Sequence, residues 1–61
     1  MLTAKFHLID RRELFVYTDE FRSFKELAKY CSGKDIVYFH NKYSNKGRAI
    51  NMNKVIEIEE G

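Results

Sequence analysis

The sequence predicts an α+β fold, a small ββαβββ domain that is mainly antiparallel sheet with one short helix packed on one face. Three observations carry that expectation. Leu14-Phe15-Val16-Tyr17 and Ile36-Val37-Tyr38-Phe39 are apolar throughout and rich in β-branched and aromatic residues, as strands are. Between them lies one helix-start signature, Ser23-Phe24-Lys25-Glu26, followed by a single apolar stripe. The last segment, Val55-Ile56-Glu57-Ile58-Glu59, alternates apolar and acidic residues with the period of a half-buried strand.

Residues 4 to 9 form the first strand, with Phe6 and Leu8 on one side, and Asp10-Arg11-Arg12-Glu13 supplies the polar turn into the second. At the helix start the Ser23 hydroxyl accepts the Glu26 amide, and the Glu26 carboxylate reaches back in a capping box. Phe24, Leu27, Ala28 and Cys31 then fall at i, i+3, i+4 and i+7, while Lys25, Glu26 and Lys29 face away. Gly33 stops the helix in the left-handed conformation after about nine residues, or about 13 Å. A third strand runs from Asp35 to about Asn41, Asn45-Lys46-Gly47 reverses the chain, and a short fourth strand runs from Arg48 to Met52. The expected core is Phe6, Leu8, Leu14, Val16, Phe24, Leu27, Ala28, Cys31, Val37, Phe39, Ile56 and Ile58.

At 61 residues the chain is one domain, 1–61, which buries only about 60% of the surface its unfolded form exposes. A lone cysteine, Cys31, excludes an internal disulfide, and no Cys-x-x-Cys or paired-histidine spacing calls for a metal, so no cofactor is expected. The usual remaining aid for so small a core is oligomerisation or a partner, and a homodimer is expected. Met1-Leu2-Thr3-Ala4-Lys5-Phe6 lacks the apolar core of a signal peptide, and the longest apolar run is far too short to cross a bilayer, so no membrane partner and a cytoplasmic location are expected.

The two fully apolar strands offer water-avoiding side chains on both faces of a sheet, whereas a short helix covers one. Ile9, Phe15, Tyr17, Ile36, Tyr38 and Val55 then form a second, partly aromatic face, which suits a dimer or partner interface. Cys31, His40 and Asp35 are the residue types of a thiol nucleophile, base and orienter, but Cys31 lies on the apolar stripe as a small core residue, and no enzyme is expected. His7 and His40 read as half-exposed strand residues rather than metal ligands. The net charge of +2 is well short of that of a protein that wraps nucleic acid without specificity. Its distribution is more informative. The hairpin loop His40-Asn41-Lys42-Tyr43-Ser44-Asn45-Lys46-Gly47-Arg48 joins cations to amides and an aromatic ring, which suits phosphate contact, base-edge hydrogen bonds and stacking. Lys42, Tyr43, Asn45, Lys46, Arg48 and Lys54 are therefore candidate nucleic-acid contacts, with a solvated hairpin loop as the plain alternative.

The succession of hairpin, Ser-capped helix, strand, basic turn and closing acidic strand from Leu8 to Glu59 resembles the later part of LytTR-type DNA-binding domains. In that family a basic His-Arg-Ser-Tyr segment is followed by Val-Asn-Leu-x-x-Ile. Ile50-Asn51-Met52-Asn53-Lys54-Val55 matches the second motif, while Asn45, Lys46, Gly47 and Arg48 occupy the positions of the first. The resemblance implies a DNA-binding regulator that uses the basic hairpin loop, a dimer on the argument from size and the second apolar face above. The residues alone equally support a protein-interaction module, such as a small inhibitor or accessory factor of the kind phages and mobile elements encode, docking a larger protein through its aromatic sheet face or an edge strand.

Overall fold

The computed structural model of the chain describes residues 2–41, 43 and 46–61. Strand β1 (Leu2–Leu8) and strand β2 (Glu13–Thr18) form a hairpin, helix α1 (Phe24–Cys31) follows, and strands β3 (Ile36–Asn41) and β4 (Lys46–Asn51) form a second hairpin. A single 3-10 turn, Met52–Lys54, leads into strand β5 (Val55–Glu60). All strand pairs are antiparallel. The α+β class and element order are those expected. The strands, however, divide into a three-stranded sheet in the order β2-β1-β5 and a separate two-stranded β3-β4 ribbon.

That division resolves the apparent shortage of covering surface. Ala4, Phe6 and Val16 on the inner face of the large sheet meet Val37, Phe39 and Ile50 on the inner face of the ribbon, and Leu27 and Cys31 of α1 complete one core. The helix therefore does not cover a five-stranded layer alone. Phe6 and Phe39 meet edge to face at 5.6 Å across the two sheets. Phe39 also packs edge to face with Tyr30 at 5.9 Å and Phe21 at 6.1 Å. Such aromatic pairs are worth about 0.5–1.5 kcal/mol each beyond the area they bury.

Local chemistry explains the element ends. The β1–β2 connection is a type I turn followed by one left-handed residue: Arg11 N–H donates to the Leu8 carbonyl at 3.0 Å and Leu8 N–H to the Arg12 carbonyl at 2.9 Å. Arg11, at φ 71°, fills the place usually given to glycine. Asp10 braces the turn by accepting from Arg12 N–H at 3.1 Å and from Arg12 Nε at 2.6 Å. At the helix start Ser23 Oγ accepts from Glu26 N–H at 3.3 Å, but Glu26 Oε2 accepts from the Arg22 N–H at 3.0 Å, one residue earlier than a capping box requires. At its end Ser32 N–H donates to the Ala28 and Lys29 carbonyls, and Gly33 takes φ +75° as expected.

Three sequence expectations are corrected. Ile56, assigned to the core, is 70% exposed, and Val55, assigned to the opposite face, packs against the core. A β-bulge is the cause: His7 faces Glu57 and Leu8 faces Val55, so Ile56 has no partner across the ladder and the alternation of β5 reverses there. Val55 and Ile58 thus lie on the same side as Leu8 and Phe6. Lys46 and Gly47, read as part of the reversal, are already in β4, where Gly47 faces His40 without a positive φ; Asn45 lies outside the described residues. Ile50, omitted from the expected core, is buried opposite Val37.

Ile50→Ala is expected to cost about 2–4 kcal/mol, as other core deletions do, whereas Ile56→Ala should stay within about 0.5 kcal/mol. Urea unfolding of the two variants measures this, and equal costs would refute the bulged register. Arg11→Gly removes the strain of a left-handed side chain, about 1–2 kcal/mol, against a glycine entropy cost of about 0.5–1 kcal/mol, so a small rise in the unfolding midpoint is expected.

Candidate binding surface

On the β3-β4 ribbon the two edges are treated differently. Along β3, Tyr38 N–H donates to the Tyr30 hydroxyl at 3.4 Å, that hydroxyl faces the Tyr38 carbonyl at 3.5 Å, and His40 N–H donates to Glu20 Oε1 at 3.0 Å. The outward N–H groups of Tyr38 and His40 on β3 are therefore capped by side chains from α1 and the segment before it. In an antiparallel pair the residues facing these two, Ala49 and Gly47, also point their N–H and C=O groups away from the partner strand. On β4 those groups meet no further strand among the described residues. A Cβ built on Gly47 would touch nothing within 4 Å, and Ala49 and Asn51 are exposed.

The two faces of β4 differ in chemistry. Lys46, Arg48 and Ile50 lie opposite Asn41, Phe39 and Val37, on the inward side; Ile50 is buried, while Arg48 and Lys46 emerge past the core towards the hairpin tip. Arg48 borders a small crevice with Phe15, Tyr17 and Phe39. On the outward side, Gly47 faces His40, Ala49 faces Tyr38 and Asn51 faces Ile36. Small residues on β4 thus leave the rings and side chains of β3 uncovered: Tyr38 is 64% and Ile36 50% exposed. An open concavity of about 390 Å³ lies at the base of this face, lined by Asp35, Ile36, Ala49, Asn51 and Asn53.

The candidate nucleic-acid contacts fall into two places. Lys46, Arg48 and Tyr43 are at the ribbon tip, where Tyr43 packs edge to face on Tyr17 at 5.4 Å and its N–H donates to Asn41 Oδ1 at 2.9 Å. Lys54 is beyond the other end of β4, where its carbonyl accepts from Ile9 N–H at 2.9 Å and its side chain borders a cleft with Leu8, Asp10 and Arg12. The six residues of β4 span about 17 Å from one end of the ribbon to the other. Lys42 and Asn45 lie outside the described residues.

The expected aromatic face divides with the sheets. Ile36 and Tyr38 belong to the ribbon, Ile9 is exposed in the β1–β2 turn, and Phe15 and Tyr17 lie on the outer face of the large sheet. That outer face is largely charged. Lys5 Nζ sits 5.5 Å from the Phe15 ring centre and 3.5 Å from Glu13, while His7 hydrogen-bonds Glu59 at 2.9 Å and approaches Glu13 at 3.6 Å.

Cys31 is buried in the core, and burial pushes its thiol above the ordinary value, partly offset by nearby Lys34. His40 and Asp35 are exposed elsewhere on the ribbon and its approach. Among the described residues no group of three or more His, Cys, Asp and Glu side chains is placed to hold a metal ion, and no helix is long and apolar enough to cross a membrane.

The edge caps escape sequence reading. Tyr30 stands one helical turn after Leu27, on the shoulder of the apolar stripe, which is the only signal that it turns inward; Glu20 carries none. No family model, no curated protein and no solved structure matches this chain.

The hydrogen bond from His7, together with the charge of Lys5, holds the Glu59 carboxyl below the ordinary glutamate value. A depressed carboxyl stabilises the fold above the unfolded-state value and loses that contribution as pH falls through the folded one. His7→Ala should therefore move the Glu59 midpoint upward in a carboxyl-carbon NMR titration. An unmoved midpoint would show that the hydrogen bond is not formed in solution.

Proposed function

We propose that the protein is a non-catalytic binding module that captures an extended segment of a larger protein by strand addition along β4. The observation that carries this reading is the contrast between the ribbon's edges: side chains occupy the outward N–H groups of Tyr38 and His40 on β3, and the groups of Ala49 and Gly47 that face them on β4 stand open beside an exposed apolar face. Strand addition draws affinity from main-chain hydrogen bonds and specificity from alternate side chains. Glycine and alanine on the outward row of β4 give an added strand room to lay larger side chains against Tyr38 and His40.

A second reading, the DNA-binding regulator implied by the LytTR-type resemblance, draws support from Lys46, Arg48 and the exposed Tyr43 gathered at the ribbon tip. The two readings differ in which atoms the partner touches. Strand addition engages the backbone of Gly47, Ala49 and Asn51, whereas DNA binding engages the Lys46 and Arg48 side chains and leaves those amides in water.

A displayed library of short random peptides, selected on the purified protein, should yield binders that slow amide exchange at Gly47, Ala49 and Asn51. Ala49→Pro removes an outward donor without touching a β3-β4 hydrogen bond and should abolish that binding. N-methylation of alternate peptide residues is the matching change on the ligand, and it leaves the protein intact. Binders that leave the three amides unprotected would refute the reading. So would duplex DNA bound with a log affinity against log salt slope near −3.6, the value for about four phosphates, if Lys46→Glu flattened it.

A further inference from the structure

We infer that the segment β4 accepts is acidic on one face and apolar on the other, alternating residue by residue. This inference rests on the strand-addition reading above and names the chemistry of the partner. A strand laid beside β4 continues both rows of the ribbon. On the inward row its side chains stand next to Lys46 and Arg48, both exposed. On the outward row they stand next to Gly47 and Ala49 and reach over them toward His40 and Tyr38. Carboxylates suit the first row and large apolar side chains the second.

The inward cations have no carboxylate among the ribbon residues around them: Lys46 faces Asn41, and Arg48 faces Phe39 and borders Phe15, Val16 and Tyr17. Lys5 and Arg12, by contrast, are engaged with Glu13 and Asp10. The same cations disfavour a second copy at this edge in the antiparallel registers that set Arg48 against itself or against Lys46. They also disfavour a basic segment, and an opposite charge is the partner they admit.

Two fluorescent hexapeptides test this, one alternating glutamate and valine and the other alternating lysine and valine, titrated with the full chain by fluorescence anisotropy. The glutamate peptide should bind at least about tenfold more tightly, a preference that shrinks with added salt and reverses in the Lys46→Glu, Arg48→Glu double variant. Circular dichroism of the double variant verifies its fold, and Lys46→Gln with Arg48→Gln, which should erase the preference, serves if the reversal unfolds the chain. If both peptides bind equally and protect Ala49, the charge inference fails while strand addition stands. If neither binds, or the amides of Gly47 and Ala49 stay unprotected, both fail. Concentration-dependent dimerisation that protects Ala49 without peptide would place a second copy at the edge and overturn the inference.

Discussion

The structure depends on how β3 disposes of its outward backbone groups. Had those groups paired with β2, the strands would have closed into one five-stranded layer with a face too large for an eight-residue helix. Instead the Tyr30 hydroxyl and the Glu20 carboxylate take the N–H groups of Tyr38 and His40. Backbone polar groups demand partners wherever water is thinned, and a side chain satisfies them as well as a strand does. The ribbon is thereby free to rotate out of the sheet and lay Val37, Phe39 and Ile50 onto Phe6 and Val16. Sheet covers sheet, and α1 closes the remaining side.

Phe39 is where this arrangement is locked. It touches Phe6 from the large sheet, Tyr30 from the helix and Phe21 from the segment between them. Tyr30 therefore has two roles, its ring packing on Phe39 while its hydroxyl caps β3. The packing of the core and the blocking of the edge share one side chain. Thr18, fully buried, shows the same economy: it ends β2 in the core while its hydroxyl accepts the Glu20 N–H and so helps place the residue that caps His40.

The element order, the helix stripe and the Gly33 stop were legible because each is written in residues close in sequence. Leu27 and Cys31 are buried four residues apart, as the stripe requires, and Lys25, Glu26 and Lys29 are exposed. What escaped depends on partners far away in the chain. Ile56 and Ile58 look equivalent in an alternating segment, and only the pairing of Leu8 with Val55 across the sheet tells them apart. Ile50, in a short expected strand between Ala49 and Asn51, carries no local mark of burial until Val37 stands opposite. The candidate surface was half legible. Lys46, Arg48 and the exposed Tyr38 are visible as residue types, but an open edge is a property of backbone direction, on which composition is silent.

A two-stranded ribbon is the least stable form of sheet, and three strands with an apolar face are the usual minimum for one that stands alone. Here the inner face of β3-β4 is held by the core, so the ribbon persists, yet among the described residues the one strand that pairs with β4 is β3. In the proposed complex an added strand converts the ribbon into a three-stranded sheet and gives β4 hydrogen bonds on both sides. Any ligand that binds only the folded chain raises its stability by mass action, by about 2.7 kcal/mol at a hundredfold excess over its dissociation constant. For a domain of 61 residues, whose whole margin is small, that is a large share. In that complex the ribbon edge left uncapped receives the partner, and binding and folding of this hairpin are coupled through the same set of backbone groups.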